Sequence, residues 1–203
     1  MGPPRGPGRR AGPGRARPGR RLRPGLIAGP PVALRLAGLD DAEAIRQIYN
    51  AEVTTSTVTF DIVPRSLDEQ RRYLRERSGA HAVIVAEHAG EVAGFGALSP
   101  WRTKPAYATS VEDSVYVRRA HQGRGVGRLL LAELVRVATA HGFHAVFARI
   151  VGGHEASIRL HEALGFEIVG VEREVGRKFG RWLDVVVMEL LLAPEAAEAP
   201  DRR

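Results

Sequence analysis

The chain has no cysteine in its 203 residues, which excludes disulfides, thiolate metal ligands and a cysteine nucleophile. It has no apolar run near the ~20 residues that cross a bilayer. Leu26-Ile27-Ala28 is too short and too closely bounded by proline for the core of a signal peptide. No serine stands in a Gly-x-Ser-x-Gly string, so a serine nucleophile elbow is missing too. Acid is absent from residues 1–31, where Arg5, Arg9, Arg10, Arg15, Arg17, Arg20, Arg21 and Arg23 give +8. The whole chain carries +7, so residues 32–203 sum to −1. The basic balance therefore belongs to one arm and implies no nucleic-acid face on the rest, although the arm itself can adhere weakly to polyanions.

That arm is almost all Gly, Pro, Arg and Ala, a composition that cannot bury enough apolar surface to order itself. Residues 1–31 are expected to be disordered, as is the Ala-Pro-Glu-rich tail 193–203. Between them, 32–192 is the length of one domain with a single sizeable core. A cytoplasmic location is expected, with neither membrane nor nucleic acid as a partner of the domain and no metal.

Within the domain, Val32–Leu36 reads as a strand. Asp40 with Glu43 is expected to form a capping box before Ala44, Ile45, Ile48 and Tyr49, predicting a helix to about Asn50. The β-branched stretch Glu52–Phe60 reads as a loop or edge strand, and Ser66 with Glu69 as a second capping box for a helix to about Arg77. Ala82–Glu87 and Glu91–Ser99 form a hairpin pattern across His88-Ala89-Gly90. A proline-bracketed loop, Pro100–Tyr107, leads to a strand at Thr109–Val117. After a glycine-rich turn, Val126, Leu129, Leu130, Leu134, Val137 and Ala138 mark a helix face ended by Gly142. A strand at Ala145–Val151 and a short helix striped by Ala156, Leu160, Ala163 and Leu164 follow, then a hairpin of Phe166–Val175 and Trp182–Leu192 across Gly176–Arg181. The order β α α β β β α β α β β is that of an α/β domain with mixed strand direction.

The turn His121-Gln122-Gly123-Arg124-Gly125-Val126-Gly127-Arg128 reads as a phosphate cradle. Glycines allow strained backbone angles and leave consecutive N–H groups free to face an anion at the start of a helix. A dinucleotide fingerprint needs a glycine where Arg128 stands, and a P-loop needs Gly-Lys-Ser/Thr, so neither fits. Gln122-x-x-Gly125-x-Gly127 resembles the acyl-coenzyme A pyrophosphate loop of the GNAT acetyltransferases.

Acyl transfer from a thioester to an amine needs a base, because an amine with a pKa of about 10 is protonated at neutral pH. It also needs an acid for the departing thiolate. Glu112 lies on the strand that ends at the cradle, which makes it the candidate base; its plain alternative is a solvent-facing strand residue. His161, one turn before Gly165, is the candidate acid, and the alternative there is a packed or surface histidine.

Further strings carry a more specific resemblance: Tyr49-Asn50, Ser56–Asp61, Ser99-Pro100-Trp101-Arg102, Val111–Val117, Ala156–Phe166 and Val175–Asp184. Together they resemble the phosphinothricin N-acetyltransferases, a branch that includes enzymes acting on methionine sulfone and methionine sulfoximine. The resemblance spans nearly all of 32–192 and neither tail. It implies a GNAT-type, mostly antiparallel sheet flanked by helices. It implies acetyl-CoA as co-substrate, with Val115, Tyr116 and Val117 along the pantetheine arm and Gly123, Arg124, Gly125, Val126, Gly127 and Arg128 on the pyrophosphate. Glu112 matches the family's base. Arg102, Thr103 and Lys104 match the amino-acid pocket, the alternative being an exposed basic loop, and Tyr107, Phe60 and Trp182 are candidate walls, the alternative being aromatics of the core. His154 replaces the asparagine that in the family contacts the coenzyme. A homodimer is also implied.

The resulting expectation is an acetyl-CoA-dependent N-acetyltransferase of small amino-acid-like substrates, working by direct transfer in a ternary complex. An enzyme acetylating peptide or protein N-termini or another amine is the nearest alternative. An alternative of another class is a non-catalytic acyl-CoA-binding module with a nucleic-acid-binding arm.

Overall fold

The computed structural model describes Gly2 and residues 31–192. Apart from these few positions the arginine-rich arm, and all of the 193–203 tail, lie outside the described residues. The described residues form seven strands and four α-helices: β1 (Ala33–Leu36), α1 (Ala42–Thr55), α2 (Leu67–Arg75), β2 (Ile84–His88), β3 (Glu91–Pro100), β4 (Ser110–Val117), α3 (Val126–Ala140), β5 (Ala145–Val151), α4 (Glu155–Glu162), β6 (Glu167–Lys178) and β7 (Arg181–Leu191). One sheet runs β1-β2-β3-β4-β5-β7-β6. Every neighbouring pair is antiparallel except β4–β5, which is parallel. The element order and the mixed, mostly antiparallel sheet match the expectation.

Local signals explain some helix ends better than others. The Ser66 capping box forms as read: Ser66 Oγ accepts the Glu69 N–H at 3.2 Å and the Glu69 carboxylate accepts the Ser66 N–H at 2.7 Å, a motif worth about 1 kcal/mol. The Asp40/Glu43 box does not form. A 3-10 turn, Leu39–Asp41, precedes α1, and it is the Asp41 carboxylate that accepts the Gly38 N–H at 2.7 Å. Glu43 is drawn instead to Arg46 and Gln47 one turn along. Helix α1 also runs to Thr55 rather than Asn50, because buried Val53 extends its apolar face. Thr54 and Thr55 return their hydroxyls to the carbonyls of Asn50 and Ala51. Glu52–Thr55 is thus helix, and only 56–60 is loop.

The two hairpins use two-residue turns with left-handed angles at both positions: Ala89 (φ 52°) with Gly90 (φ 81°), and Phe179 (φ 50°) with Gly180 (φ 75°). The second turn is tighter than the expected Gly176–Arg181, and Gly176 lies within β6. A Cβ there would stand 2.2 Å from Phe60 Cε2, so glycine is what lets that ring pack on the strand.

Helices α3 and α4 cover one face of the sheet and α1 and α2 the other. Val126, Leu130, Leu131, Leu134 and Ala138 of α3 bury against Ile84, Ala86, Leu98, Val111, Val146 and Ala148. Ile45, Ile48, Tyr49 and Val53 of α1 bury against Val85, Phe95 and Ala97. Neighbouring residues of a strand thus serve opposite cores, and on β4 this sends Asp113 and Glu112 to different faces. No described helix is long and apolar enough to cross a membrane.

Candidate active site

The site is built on a fork in the sheet. Parallel pairing of β4 with β5 covers only Ser110↔Ala145, Val111↔Val146 and Glu112↔Phe147. Beyond it β4 stays paired to β3 as far as Val117, and β5 to β7 as far as Val151. A cleft of about 700 Å³ opens between the parted strands, walled by Asp113–Val117 on one side and Ala148–Val151 on the other. The edge of β4 facing the cleft has no strand partner over 113–117, so its peptide groups are available to an extended ligand. Val115, Tyr116 and Val117 lie here, with the Tyr116 ring turned away into the α1 core against Tyr49 and Phe95.

The cradle closes one end of the cleft. Gly123 (φ 71°) and Gly125 (φ 86°) adopt left-handed angles, and Gly125 is the N-cap of α3 with no side-chain cap. The first N–H groups of α3 are left to an outside acceptor at the positive end of the helix. Gly127 packs closely, since a Cβ there would lie 3.3 Å from Leu160 Cδ2 and press on that side chain. Gly123, Gly125, Gly127 and Arg128 line the cleft, as do Gln122 and His121. Arg124 is exposed outside it, and the Val126 side chain is in the core, leaving only its backbone at the cradle. This uncapped turn above an unpaired strand edge fits a ligand with a phosphate group and an amide-bearing arm, as acetyl-CoA has.

Glu112 sits at the apex of the fork. Burial raises its pKa; the Arg149 charge pulls it down, while Asp113 and Glu172 add to the rise. A half-buried carboxylate with an upward-shifted pKa is suited to accept a proton near neutrality. Its neighbours on this face are Phe147, on which Trp101 stacks with ring centroids 4.2 Å apart, and Arg149, which pairs with Glu172 of β6.

On the opposite face His161 meets Asp113. His161 is 3% exposed and Asp113 6%. Nδ1 of His161 donates to the Ser157 carbonyl at 2.8 Å, which leaves Nε2 facing Asp113 Oδ1 at 3.2 Å. A carbonyl can only accept, so the Nε2–Oδ1 contact holds one proton, on one partner or the other. Burial opposes the charged imidazole, but the hydrogen bond to Asp113, its charge and the Ser157 carbonyl together raise the His161 pKa. Asp113 Oδ2 is buried with no partner among the described residues. The stripe expected for α4 is rotated accordingly. Ile158 and His161 are buried and Ala156 and Ala163 exposed, because the imidazole has a buried carboxylate to meet.

His154 is the N-cap of α4 and lines the cleft. Desolvation lowers its pKa, with Glu52 opposing and His161 assisting. Phe60 also lines the cleft, on a loop held by three ties: Tyr49 Oη donating to Asp61 at 2.6 Å, Asn50 bonding both backbone groups of Arg65, and buried Lys178 donating to the Thr59 carbonyl at 2.8 Å. Arg102, Thr103, Lys104 and Tyr107 lie outside the cleft and are exposed, Arg102 resting over the rings of Trp101 and Tyr107. Trp182 is 60% exposed, over Arg177, and does not line the cleft.

Sequence reasoning missed Asp113 as a partner of His161, and Phe147, Arg149 and Glu172 as neighbours of Glu112. For Asp113 a signal existed: an acid inside an apolar strand next to the candidate base. Arg149, likewise the one charged residue within Ala145–Val151, was equally visible.

The acetyltransferase (GNAT) domain family matches residues 34–187. The chain is 40% identical over 164 residues to the L-methionine sulfoximine/L-methionine sulfone acetyltransferase of Pseudomonas paraeruginosa, covering 80% of this chain and 95% of that one. It is 43% identical over 154 residues to the phosphinothricin N-acetyltransferase of Streptomyces coelicolor, covering 74% and 90%. Among solved structures, a GNAT phosphinothricin acetyltransferase from Sinorhizobium meliloti in complex with acetyl-CoA superposes with a TM-score of 0.76 at 36% identity, covering 84% and 96%. Forked sheet, uncapped glycine turn and sequence thus agree, and the chain belongs to the GNAT acetyltransferases, enzymes that draw their acyl group from acetyl-CoA.

Proposed function

We propose that this enzyme acetylates the amino group of a small amino acid of the methionine sulfone, methionine sulfoximine or phosphinothricin kind, by direct transfer with both substrates held at once. The relatives named for those acceptors support the substrate class. The observation that carries the chemistry is Glu112, a desolvated carboxylate at the apex between the cleft and the Trp101–Phe147 face.

Acetyl-CoA supplies the thioester carbonyl that the amine attacks. Gly123–Arg128 would hold its pyrophosphate, His154 would line its path, and the free edge of Asp113–Val117 would pair with its amides. Glu112 takes the proton that the acceptor ammonium must lose, directly or through a water, and Phe60 walls the acceptor side. The thiol product needs a proton, and the His161–Asp113 pair holds one on the cleft wall. Because both ring nitrogens are engaged, we assign the acid role to the pair rather than to His161 alone. Direct transfer accords with the absence of cysteine.

A cytoplasmic homodimer completes the proposal. Edge strand β6 presents Ile168, Val169, Val171 and Val175 about half exposed, with Phe179 and Trp182 beyond them, an apolar surface suited to a second copy.

The test is thiol release from acetyl-CoA with methionine sulfone, methionine sulfoximine, phosphinothricin, ordinary amino acids and a peptide. Turnover on one of the first three is expected, with Glu112→Gln lowering kcat by about 10²–10⁴-fold. In the wild type the acid limb of kcat/KM should lie above the usual glutamate range. Turnover confined to the peptide discards the acceptor class, and an unimpaired Glu112→Gln discards the base.

A further inference from the structure

We infer that Arg149 is the anchor for the acceptor's carboxylate, a specificity-determining contact that rests on the amino-acid acceptor proposed above. Phe147 lies opposite Glu112 in the parallel register, so Arg149, two residues on, leaves β5 on the same face, one step past the fork. It lines the cleft together with Glu112, and its charge acts on that carboxylate. A single residue pair thus places a proton acceptor and a cation side by side, the arrangement that an α-amino acid needs for its ammonium and its carboxylate.

The guanidinium has capacity to spare. Its Nη2 bonds Glu172 Oε2, and that contact uses one of five N–H donors arranged to match a carboxylate bidentately. Both partners are about one-third exposed, 35% for Arg149 and 34% for Glu172, and an ion pair at that exposure adds little to fold stability. What Glu172 does is hold the long side chain toward the cleft, from a strand that reaches β5 only across β7. The cations expected from sequence for this task, Arg102 and Lys104, are exposed outside the cleft.

The experiment compares methionine sulfone with its amide, which keeps the amine and loses the carboxylate charge. Wild type, Arg149→Gln and Arg102→Gln are assayed by thiol release at alkaline pH, so that Glu112 is ionised throughout. Arg149→Gln should raise the KM of the acid by about tenfold or more, as expected for loss of a charge-assisted bidentate contact, with kcat changed less. The KM of the amide and that of acetyl-CoA should stay near wild type, and Arg102→Gln should move neither acceptor. Glu172→Gln, which loosens the hold on the guanidinium, should raise the acid's KM in the same direction as Arg149→Gln but by less, and leave the amide's KM near wild type. An equal change on acid and amide, no change on either, or a selective loss in Arg102→Gln instead overturns the assignment while leaving the acceptor class intact. No wild-type turnover on any amino acid overturns both.

Discussion

Replacing Asp113 with alanine removes the partner of a buried imidazole. His161 then has Nδ1 on the Ser157 carbonyl and a buried Nε2 facing nothing described. Breaking a buried pair from one side costs about 3–5 kcal/mol, and for a domain of this size each kcal/mol moves Tm by about 2–4 °C. Asp113→Ala should therefore lower Tm by about 6–20 °C. Asp113→Asn should cost less, about 1–3 kcal/mol, since its amide can donate to the neutral ring. The two forms should also differ in pH dependence. The folded His161 pKa is raised, so its contribution is fully present below the unfolded value of about 6.5 and is lost as pH rises through the folded value. The stability gap between wild type and Asp113→Asn should be widest between about pH 5 and 6.5 and narrow at alkaline pH. The groups facing the ring are Asp113 from β4, His154 and the Ser157 carbonyl from the start of α4, and the edge of Phe166 beyond its end, and among them Asp113 favours the charged ring most. Thermal unfolding across that range measures the gap. In kcat profiles the alkaline limb should move to lower pH in Asp113→Asn. A pH-independent gap, or a loss under about 3 °C in Asp113→Ala, would refute the shared-proton reading.

Two further outcomes concern the cradle and the sheet edge. Gly125→Ala places a Cβ in open space but at φ 86°, so the cost is backbone strain alone, about 1–2 kcal/mol. The KM of acetyl-CoA should rise while that of the acceptor stays constant, and an unchanged acetyl-CoA KM would detach the turn from donor binding. By light scattering the protein should run at twice its 22.1 kDa chain mass, and Val171→Glu on β6 should return it to a monomer without loss of helix content. A wild-type monomer at micromolar concentration sinks the dimer.

Sequence periodicity was enough for the element order because each element's signal is local. The α2 cap needs only Ser66 and Glu69, three residues apart, and the cradle is contiguous. Errors arose where a local signal had a competitor: Glu43 had Arg46 within one turn, and the β-branched Thr54 and Thr55 satisfied themselves inside a helix. The site was legible in its contiguous parts, Glu112 and the glycine turn, and illegible where it depends on pairs brought together by the sheet. Asp113 and His161 are 48 residues apart and Arg149 and Glu172 are 23 apart. No periodicity reports such a pairing, because it depends on strand order. The β7 strand inserted between β5 and β6 is what sets Glu172 across from Arg149.

The parting of β4 from β5 also bears on how such a protein stays out of aggregates. An unpaired strand edge invites another chain to add itself, and β4 carries such an edge over 113–117. Here the edge lies inside the molecule, facing β5 across the cleft and bordered at one end by the α3 turn, whereas the outer rims of the sheet are β1 and β6. The protein thus keeps its free hydrogen-bonding edge turned inward to the cleft, away from the rims where a neighbouring chain would add a strand.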